Sequence, residues 1–189
     1  MLPEELRKSF KPLRNELNEM NMSWYFLTQK SKLINDSFRE GRELMLFSFV
    51  ALGYLENGLV LHLTSLDDEK NSDFSFHSAR KELEKINCDA VKLKDLKKSI
   101  ADFRKEANFL KTKHRNIRIA HINHKSLVDI KELDDFMEID VLQNLVSKAN
   151  DIGDLLFGEE IRPLFKMGGI TNEGHLDFRA GKRIYGPIE

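Results

Sequence analysis

Cysteine is nearly absent from this chain of 189 residues, because Cys88 is its one thiol. No disulfide can form within the chain, and such a composition is typical of the reducing cytoplasm, where we expect the protein to be located. An excess of charge of one sign is also missing, since 30 Lys and Arg residues face 31 Asp and Glu residues. A general attraction to nucleic acid is therefore excluded, and any site for a polyanion must be a local patch.

Long hydrophobic runs are missing as well. The longest, residues 44–55, is interrupted by Ser48 and Gly53 and is followed by the polar sequence Glu56-Asn57-Gly58. A membrane-spanning helix needs about 20 apolar residues, so this run predicts a buried helix and no membrane partner. The opening residues, MLPEELRKSF, carry acidic side chains and no apolar centre, which is unlike a signal peptide.

What the sequence does contain is a recurrence of apolar residues at intervals of three and four, which predicts amphipathic helices. A second long helix is expected over about residues 37–66 and, because it is apolar nearly all round, it should be the most enclosed. A short helix over about residues 76–86 follows, with Asp89 as the cap of the next helix. The other predicted buried stripes are Leu6, Phe10, Leu13, Leu17, Met20, Trp24 and Leu27 in the first helix, Leu93, Leu96, Ile100, Phe103, Ala107 and Leu110 in the third, and Leu142, Leu145, Ala149, Ile152 and Leu156 in the fourth.

The overall prediction is an all-α protein, because no segment alternates with the period of two that a sheet requires. Long helices with short connections favour an up-and-down bundle of four to five helices over residues 1–160. An irregular, Gly-rich C-terminal extension over residues 161–189 follows, and five of the ten glycines lie in its residues 168–186. Two hypotheses stay open for this extension: a flexible end, or a segment held against a surface of this chain or of a partner chain.

The third helix is expected to end in the sequence HRNIRIAHINH, residues 114–124. Continuing the count of three and four beyond Leu110 gives His114, Ile117, His121 and His124, so the apolar stripe becomes a stripe of imidazoles. No Asp or Glu occurs in residues 107–128, a window that also contains five cations, and this favours a local anion site. The five cations are Lys111, Lys113, Arg115, Arg118 and Lys125.

Spacing alone leaves three interpretations of these histidines. They could be groups at the edge of the core that hydrogen-bond to neighbouring backbone. His121 and His124 could bind a metal, but two imidazoles without a nearby acidic or cysteine ligand rarely suffice, so we predict no metal and no cofactor. The third interpretation is a polar site for phosphate chemistry.

Arg115-Asn116, followed by four residues and His121, resembles the signature of the HEPN superfamily, and most of all its abortive-infection U-type branch. The resemblance covers about residues 6–156. It implies a metal-independent endoribonuclease, a toxin or antiphage effector that works as a homodimer on an RNA substrate, with an antitoxin or regulatory protein as a further partner. On a helix, positions six apart point about 120° away from each other, so two facing copies would complete one site.

The resemblance also implies roles for individual residues. His121 would act as general base or acid, Arg115 would hold the scissile phosphate, and Asn116 would orient either group. Arg118 and His124 share the same separation and are the alternative pair, although an apolar residue follows Arg118. Asn123 stands where partner-silenced HEPN toxins commonly have a tyrosine, which argues against that class. Supporting or RNA-binding residues would be His114, Arg118, His124, Lys111 and Lys113.

A second hypothesis of a different class remains, that of a helical binding or scaffold protein without turnover. It would keep the basic patch of residues 111–125 and bind RNA or another protein through it. The two hypotheses differ in whether replacing His121 abolishes cleavage or merely weakens binding.

Overall fold

The computed structural model describes residues 4–69, 75–86, 89–112, 138–162, 165–167, 170–172 and 176–183, and these form an all-α helical bundle. The helices are α1 (Glu4–Ser9), α2 (Lys11–Glu40), α3 (Arg42–Leu66), α4 (Phe76–Lys85), α5 (Ala90–Phe109) and α6 (Ile139–Phe157). The four predicted long helices are α2, α3, α5 and α6, and the predicted short helix is α4. The predicted fold class is therefore confirmed.

The core consists of the apolar stripes that the sequence predicts. Every predicted position in α2, α5 and α6 is buried, apart from Leu93, which is partly buried against the core. Phe76 of α4 packs edge-on against Phe103 of α5, with ring centroids 5.6 Å apart. The spacing of three and four thus identified correctly which side of these helices faces inward.

One break in the helices was not predicted, and a second lies slightly later in the chain than the predicted start of the second long helix at about residue 37. The first helix is divided at Phe10, because Pro12 at the start of α2 has no amide proton to donate to the preceding turn. Gly41 separates α2 from α3 with a φ of 117°, a conformation that side-chain-bearing residues rarely adopt. The chain therefore reverses at Gly41, and α2 packs along α3.

Polar residues cap the two helices that lead to the candidate site. Ser75 is the N-cap residue of α4, and its hydroxyl accepts a hydrogen bond of 3.2 Å from the backbone N–H of Ser78. Asp89 is the N-cap residue of α5, as the sequence predicts, and its carboxylate accepts a hydrogen bond of 2.9 Å from the backbone N–H of Val91.

The prediction that the second long helix is the most enclosed is wrong. Several large apolar side chains in the first half of α3 are exposed, among them Phe47 at 67% and Tyr54 at 76%. Hydropathy measures how apolar a helix is, but it does not show which of its faces other helices cover, and α2 covers only one face of this half of α3.

By length and composition α3 is the one helix in the described part of the chain that could cross a membrane, over Glu43–Leu66 with a mean hydropathy of 1.7.

The described part of the C-terminal extension is ordered rather than irregular. Strands β1 (Phe165–Met167) and β2 (Ile170–Asn172) pair antiparallel, with Lys166 opposite Thr171. Strands β3 (Leu176–Asp177) and β4 (Lys182–Arg183) form a second antiparallel hairpin. These strands of two or three residues are too short to show an alternating hydrophobic pattern, which is why sequence periodicity missed them.

The second hairpin is held against the bundle of its own chain, so the hypothesis of a flexible end is wrong for residues 176–183. Phe178 is buried, and its ring lies 5.0 Å from that of Tyr25. Arg179 forms an ion pair of 2.9 Å with Asp154 of α6. The carbonyl of Gly181 accepts a hydrogen bond of 2.8 Å from the amide of Gln29.

Candidate functional site

Most of the predicted site residues lie outside the described part of the chain. These are the catalytic candidates Arg115, Asn116 and His121, together with the supporting candidates Lys113, His114, Arg118 and His124. Their roles stay predictions from the sequence. Lys111, at the end of α5, is the predicted supporting residue whose surroundings the structure describes.

Lys111 lies in an ion pair with a buried carboxylate. Its Nζ donates hydrogen bonds to Asp67 Oδ2 at 2.6 Å and to the backbone carbonyl of Asp67 at 2.8 Å. The side chain of Asp67 is fully buried, whereas that of Lys111 is 22% exposed. Asp67 takes two of the three N–H donors of the ammonium, so among the described residues the partly exposed Lys111 has one donor left for an anion.

Asp67 also contacts a histidine. His77 Nε2 lies 2.8 Å from Asp67 Oδ1, and His77 Nδ1 lies 4.0 Å from Glu69 Oε1. Glu69 in turn accepts a hydrogen bond from Arg104. We call Asp67, Glu69, His77, Arg104 and Lys111 together the Asp67 cluster.

The Asp67 cluster joins three helices at one end of the bundle. Asp67 and Glu69 follow the last residue of α3, and His77 is in the first turn of α4. Arg104 lies on α5, and Lys111 lies in the turn that directly follows it. A buried ion pair is stable only when its atoms are also hydrogen-bonded, and both oxygens of Asp67 have partners here. The contacts therefore fix the end of α5 relative to α3 and α4.

The exposed ion pair of the Asp67 cluster, Glu69 and Arg104, has shifted pKa values. The hydrogen bond from Arg104 lowers the pKa of the Glu69 carboxyl below its ordinary value of 4.5. The same bond raises the pKa of the Arg104 guanidinium above its ordinary value. Both groups thus stay charged at neutral pH, although the pair is solvent-exposed and contributes little energy.

Leu110, Lys111 and Thr112 form a π-helical turn at the end of α5. Such a turn takes one more residue than a regular helical turn, and π-turns occur frequently at functional sites. The count that extends the apolar stripe from Leu110 to His114 passes through this wider turn. The stripe is confirmed as far as Leu110, and its extension in unchanged register stays a prediction.

Three consecutive acidic residues such as Asp67-Asp68-Glu69 are typical of a solvated loop, but the side chain of Asp67 is fully buried. Its partners Lys111 and His77 come from helices 44 and 10 residues away. No local pattern of residues distinguishes such a carboxylate from an exposed one, because its burial depends on how α4 and α5 pack. His62 lies elsewhere in the bundle and is hydrogen-bonded to α2, with Nδ1 at 3.0 Å from Glu16 Oε1.

No group of three or more His, Cys, Asp or Glu side chains placed to hold a metal ion occurs in the described ranges. Comparisons of the chain with protein-family models, curated proteins and solved structures find no match. The functional assignment therefore depends on the motif in residues 115–121 and on the surroundings of the helix that leads to it.

Proposed function

We propose that this protein is a metal-independent endoribonuclease of the HEPN type, a toxin or antiphage effector of the cytoplasm. One observation carries the proposal: the sequence Arg115-Asn116-x4-His121 begins six residues after Phe109, the last residue of α5, and the apolar stripe of α5 is buried from Leu96 to Ala107 in an all-α bundle. The resembled family has its motif late in such a helix. Lys111, four residues before Arg115, is fixed by buried Asp67.

In the proposed reaction, a ribose 2′-hydroxyl attacks the adjacent phosphorus and the 5′-oxygen of the next nucleotide leaves. His121 removes the hydroxyl proton or protonates the leaving oxygen, and the ordinary pKa of histidine, about 6.5, suits either step. Arg115 holds the phosphate with a forked, permanently charged group and stabilises the added negative charge. The products are a cyclic phosphate and a free 5′-hydroxyl, so DNA cannot react.

The Asp67 cluster supports this proposal through the rigidity of the helix end. A general base and a phosphate-binding group must hold their geometry closely for proton transfer, and this requires a firmly packed support. Within the described ranges, Lys111 is anchored to Asp67 by two hydrogen bonds and has one N–H donor left. We assign Lys111 a positioning role, with its remaining donor available to an RNA phosphate.

The test is RNA cleavage in excess chelator. Wild-type protein is incubated with single-stranded RNA and with DNA of the same sequence, beside the Arg115→Ala and His121→Ala variants. We expect chelator-resistant cleavage of RNA alone and its loss by about 100-fold or more in both variants. His62→Ala is the matched control, because His62 is a histidine paired with Glu16 elsewhere in the bundle, and it should cleave normally.

The same assay distinguishes the alternatives. If Arg118→Ala and His124→Ala abolish cleavage while Arg115→Ala and His121→Ala do not, the second pair forms the site. If no RNA is cleaved but RNA or a protein partner binds, and Lys111→Ala or Lys113→Ala weakens that binding, the protein is a binding or scaffold module. Unchanged cleavage in all four variants of the two pairs would overturn the proposal.

A further inference from the structure

The outward face of α3 has an unusual concentration of exposed apolar side chains. Leu44, Leu46, Phe47, Val50 and Tyr54 are between 48% and 76% exposed, and Leu61 is 40% exposed. No charged residue lies on α3 between Glu43 and Glu56. Soluble helices normally place charged residues on the solvent side, so an uncharged apolar face of this length indicates that another surface covers it.

The spacing of these residues matches a helix-packing seam. Phe47, Val50, Tyr54, Asn57 and Leu61 follow one another at intervals of three and four. This is the heptad spacing by which one helix packs lengthwise against another, and from Phe47 to Leu61 it extends over about 21 Å. Asn57 is the one polar residue of this seam.

A lipid bilayer is a poorer occupant of this face. The opposite side of α3 contributes Leu52, Leu59, Val60 and Leu63 to the core. Glu56, which is 2% exposed, is also buried on α3. For α3 to cross a membrane, it would have to leave the bundle and expose that core, so its apolar composition alone does not make it a span.

The exposed area fits an interface between two copies of the chain. Together the six side chains expose about 600 Å², at the upper end of the largest apolar patch on a typical monomer. A standard protein interface buries about 800 Å² per partner, so the six side chains would supply most of one side. Two copies related by a two-fold axis bring the same stripe together, which makes it self-complementary.

We therefore propose that a second copy of this chain packs on the outward face of α3. Phe47 and Tyr54 are the aromatic anchors of the interface, and Asn57 lies in its seam. Large aromatic side chains dominate the energy of such interfaces. The HEPN resemblance already implies a homodimer, and the new element here is the outward face of α3 as the contact between the copies. This assignment stands on described residues and involves no nucleotide chemistry, so it does not rest on the ribonuclease proposal.

The experiment is sedimentation velocity on the full chain from nanomolar to high micromolar concentration. We expect a monomer–dimer equilibrium in the wild type and a dissociation constant raised by about 30-fold or more in Phe47→Lys and in Tyr54→Lys. Val91→Lys is the matched control, since Val91 of α5 is 67% exposed but lies off this face, and it should dimerise normally. Circular dichroism checks that every variant keeps its helices.

A covalent test complements it. The chain has one cysteine, so Tyr54→Cys in a Cys88→Ser background should form a disulfide-linked dimer on oxidation, and Val91→Cys in the same background should not. A wild type that stays monomeric throughout would overturn the proposal, as would a dimer unaffected by Phe47→Lys and Tyr54→Lys. Binding of the monomer to phosphatidylcholine vesicles, lost in these two variants, would also overturn it, because a lipid surface would then occupy the face.

Discussion

Asp67 is the residue on which the most contacts of the candidate site depend. It is fully buried, and it accepts hydrogen bonds from Lys111 and contacts His77 at 2.8 Å. Asp67→Ala would leave both partners without their carboxylate. Because breaking a buried pair leaves an uncompensated charge, we expect a loss of about 3 kcal/mol in the free energy of unfolding, measured by urea denaturation.

The control for Asp67 is Asp95→Ala, which removes an exposed carboxylate from α5 and should change stability by less than about 0.5 kcal/mol. Asp67→Asn keeps an acceptor of the same shape and should lie between the two. Equal stability of Asp67→Ala and Asp95→Ala would show that Asp67 does not hold the helix ends together.

Glu69 gives the cluster a dependence on pH. Its pKa is lower in the folded protein than its ordinary value of 4.5, because Arg104 donates a hydrogen bond to it. Its contribution to stability is therefore complete above pH 4.5 and is lost as the pH falls through the lowered folded-state pKa. We expect Glu69→Gln to flatten the acid side of a plot of melting temperature against pH, with a small change because the pair is exposed. An identical acid limb in Glu69→Gln and wild type would contradict this.

At the scale of helices, prediction from the sequence succeeded where one face was clearly apolar. Leu96, Ile100 and Phe103 of α5 are buried as predicted, because a stripe on an otherwise charged helix can face only the core. The prediction failed for α3, where Phe47 is exposed and Leu52 is buried although both are apolar. Periodicity cannot choose between two apolar faces, and the choice is made by where α2 packs.

The docking of α2 on α6 depends on a buried pair of amides. Asn21 and Asn150 exchange two side-chain hydrogen bonds of 2.8 Å, and both are at most 1% exposed. Asn21→Ala leaves the buried Oδ1 of Asn150 without its donor, although Asn150 Nδ2 still donates to the Val146 carbonyl. We therefore expect Asn21→Ala to lower the free energy of unfolding by about 2 kcal/mol.

A double-mutant cycle checks this pair by denaturation. Asn150→Ala should cost about as much as Asn21→Ala, and the double variant should lose clearly less than the sum of the two. Additive losses would mean that the two amides do not stabilise each other. Asn144→Ala on the exposed side of α6 serves as the control and should change little.

The second hairpin depends on a glycine that touches the one tryptophan. Gly181 has a φ of +60°, and an added Cβ would lie 2.6 Å from Thr28 Oγ1 and 3.0 Å from Trp24 Nε1. Gly181→Ala should therefore displace the hairpin, shift the emission of Trp24 and speed proteolytic cleavage near residues 176–183, while the helices remain.

The matched control for Gly181 is Gly53→Ala. Gly53 lies within α3 and an added Cβ would meet nothing within 4 Å, so alanine should stabilise the helix by about 0.5–1 kcal/mol. Its tryptophan emission should equal that of the wild type. A wild-type spectrum and wild-type proteolysis in Gly181→Ala would show that the hairpin does not depend on this close contact.

For the whole molecule, the sequence predicts the bundle better than the site. The helical class follows from periodicity, whereas the Asp67 cluster depends on three helices meeting, and neither Asp67 nor His77 belongs to any pattern of spacing. Arg115 and His121 come from the short motif Arg115-Asn116-x4-His121. Such a motif indicates the kind of reaction but not how its side chains are arranged in space. The exposed face of α3 could not be predicted from the sequence, because the covered and the uncovered face of α3 are both apolar. The packing of α2 decides which face is exposed.

The proposed contact between two copies has a consequence for the stability of the molecule as a whole. Because association stabilises the folded chain by mass action, the melting temperature of the wild type should rise with protein concentration. Phe47→Lys should melt at one temperature throughout and match the wild type at the lowest concentration, since Phe47 is 67% exposed in the single chain. Scanning calorimetry over the concentration range of the sedimentation experiment measures both. A wild-type melting temperature independent of concentration, or a Phe47→Lys variant already destabilised as a monomer, would show that Phe47 stabilises the single chain instead.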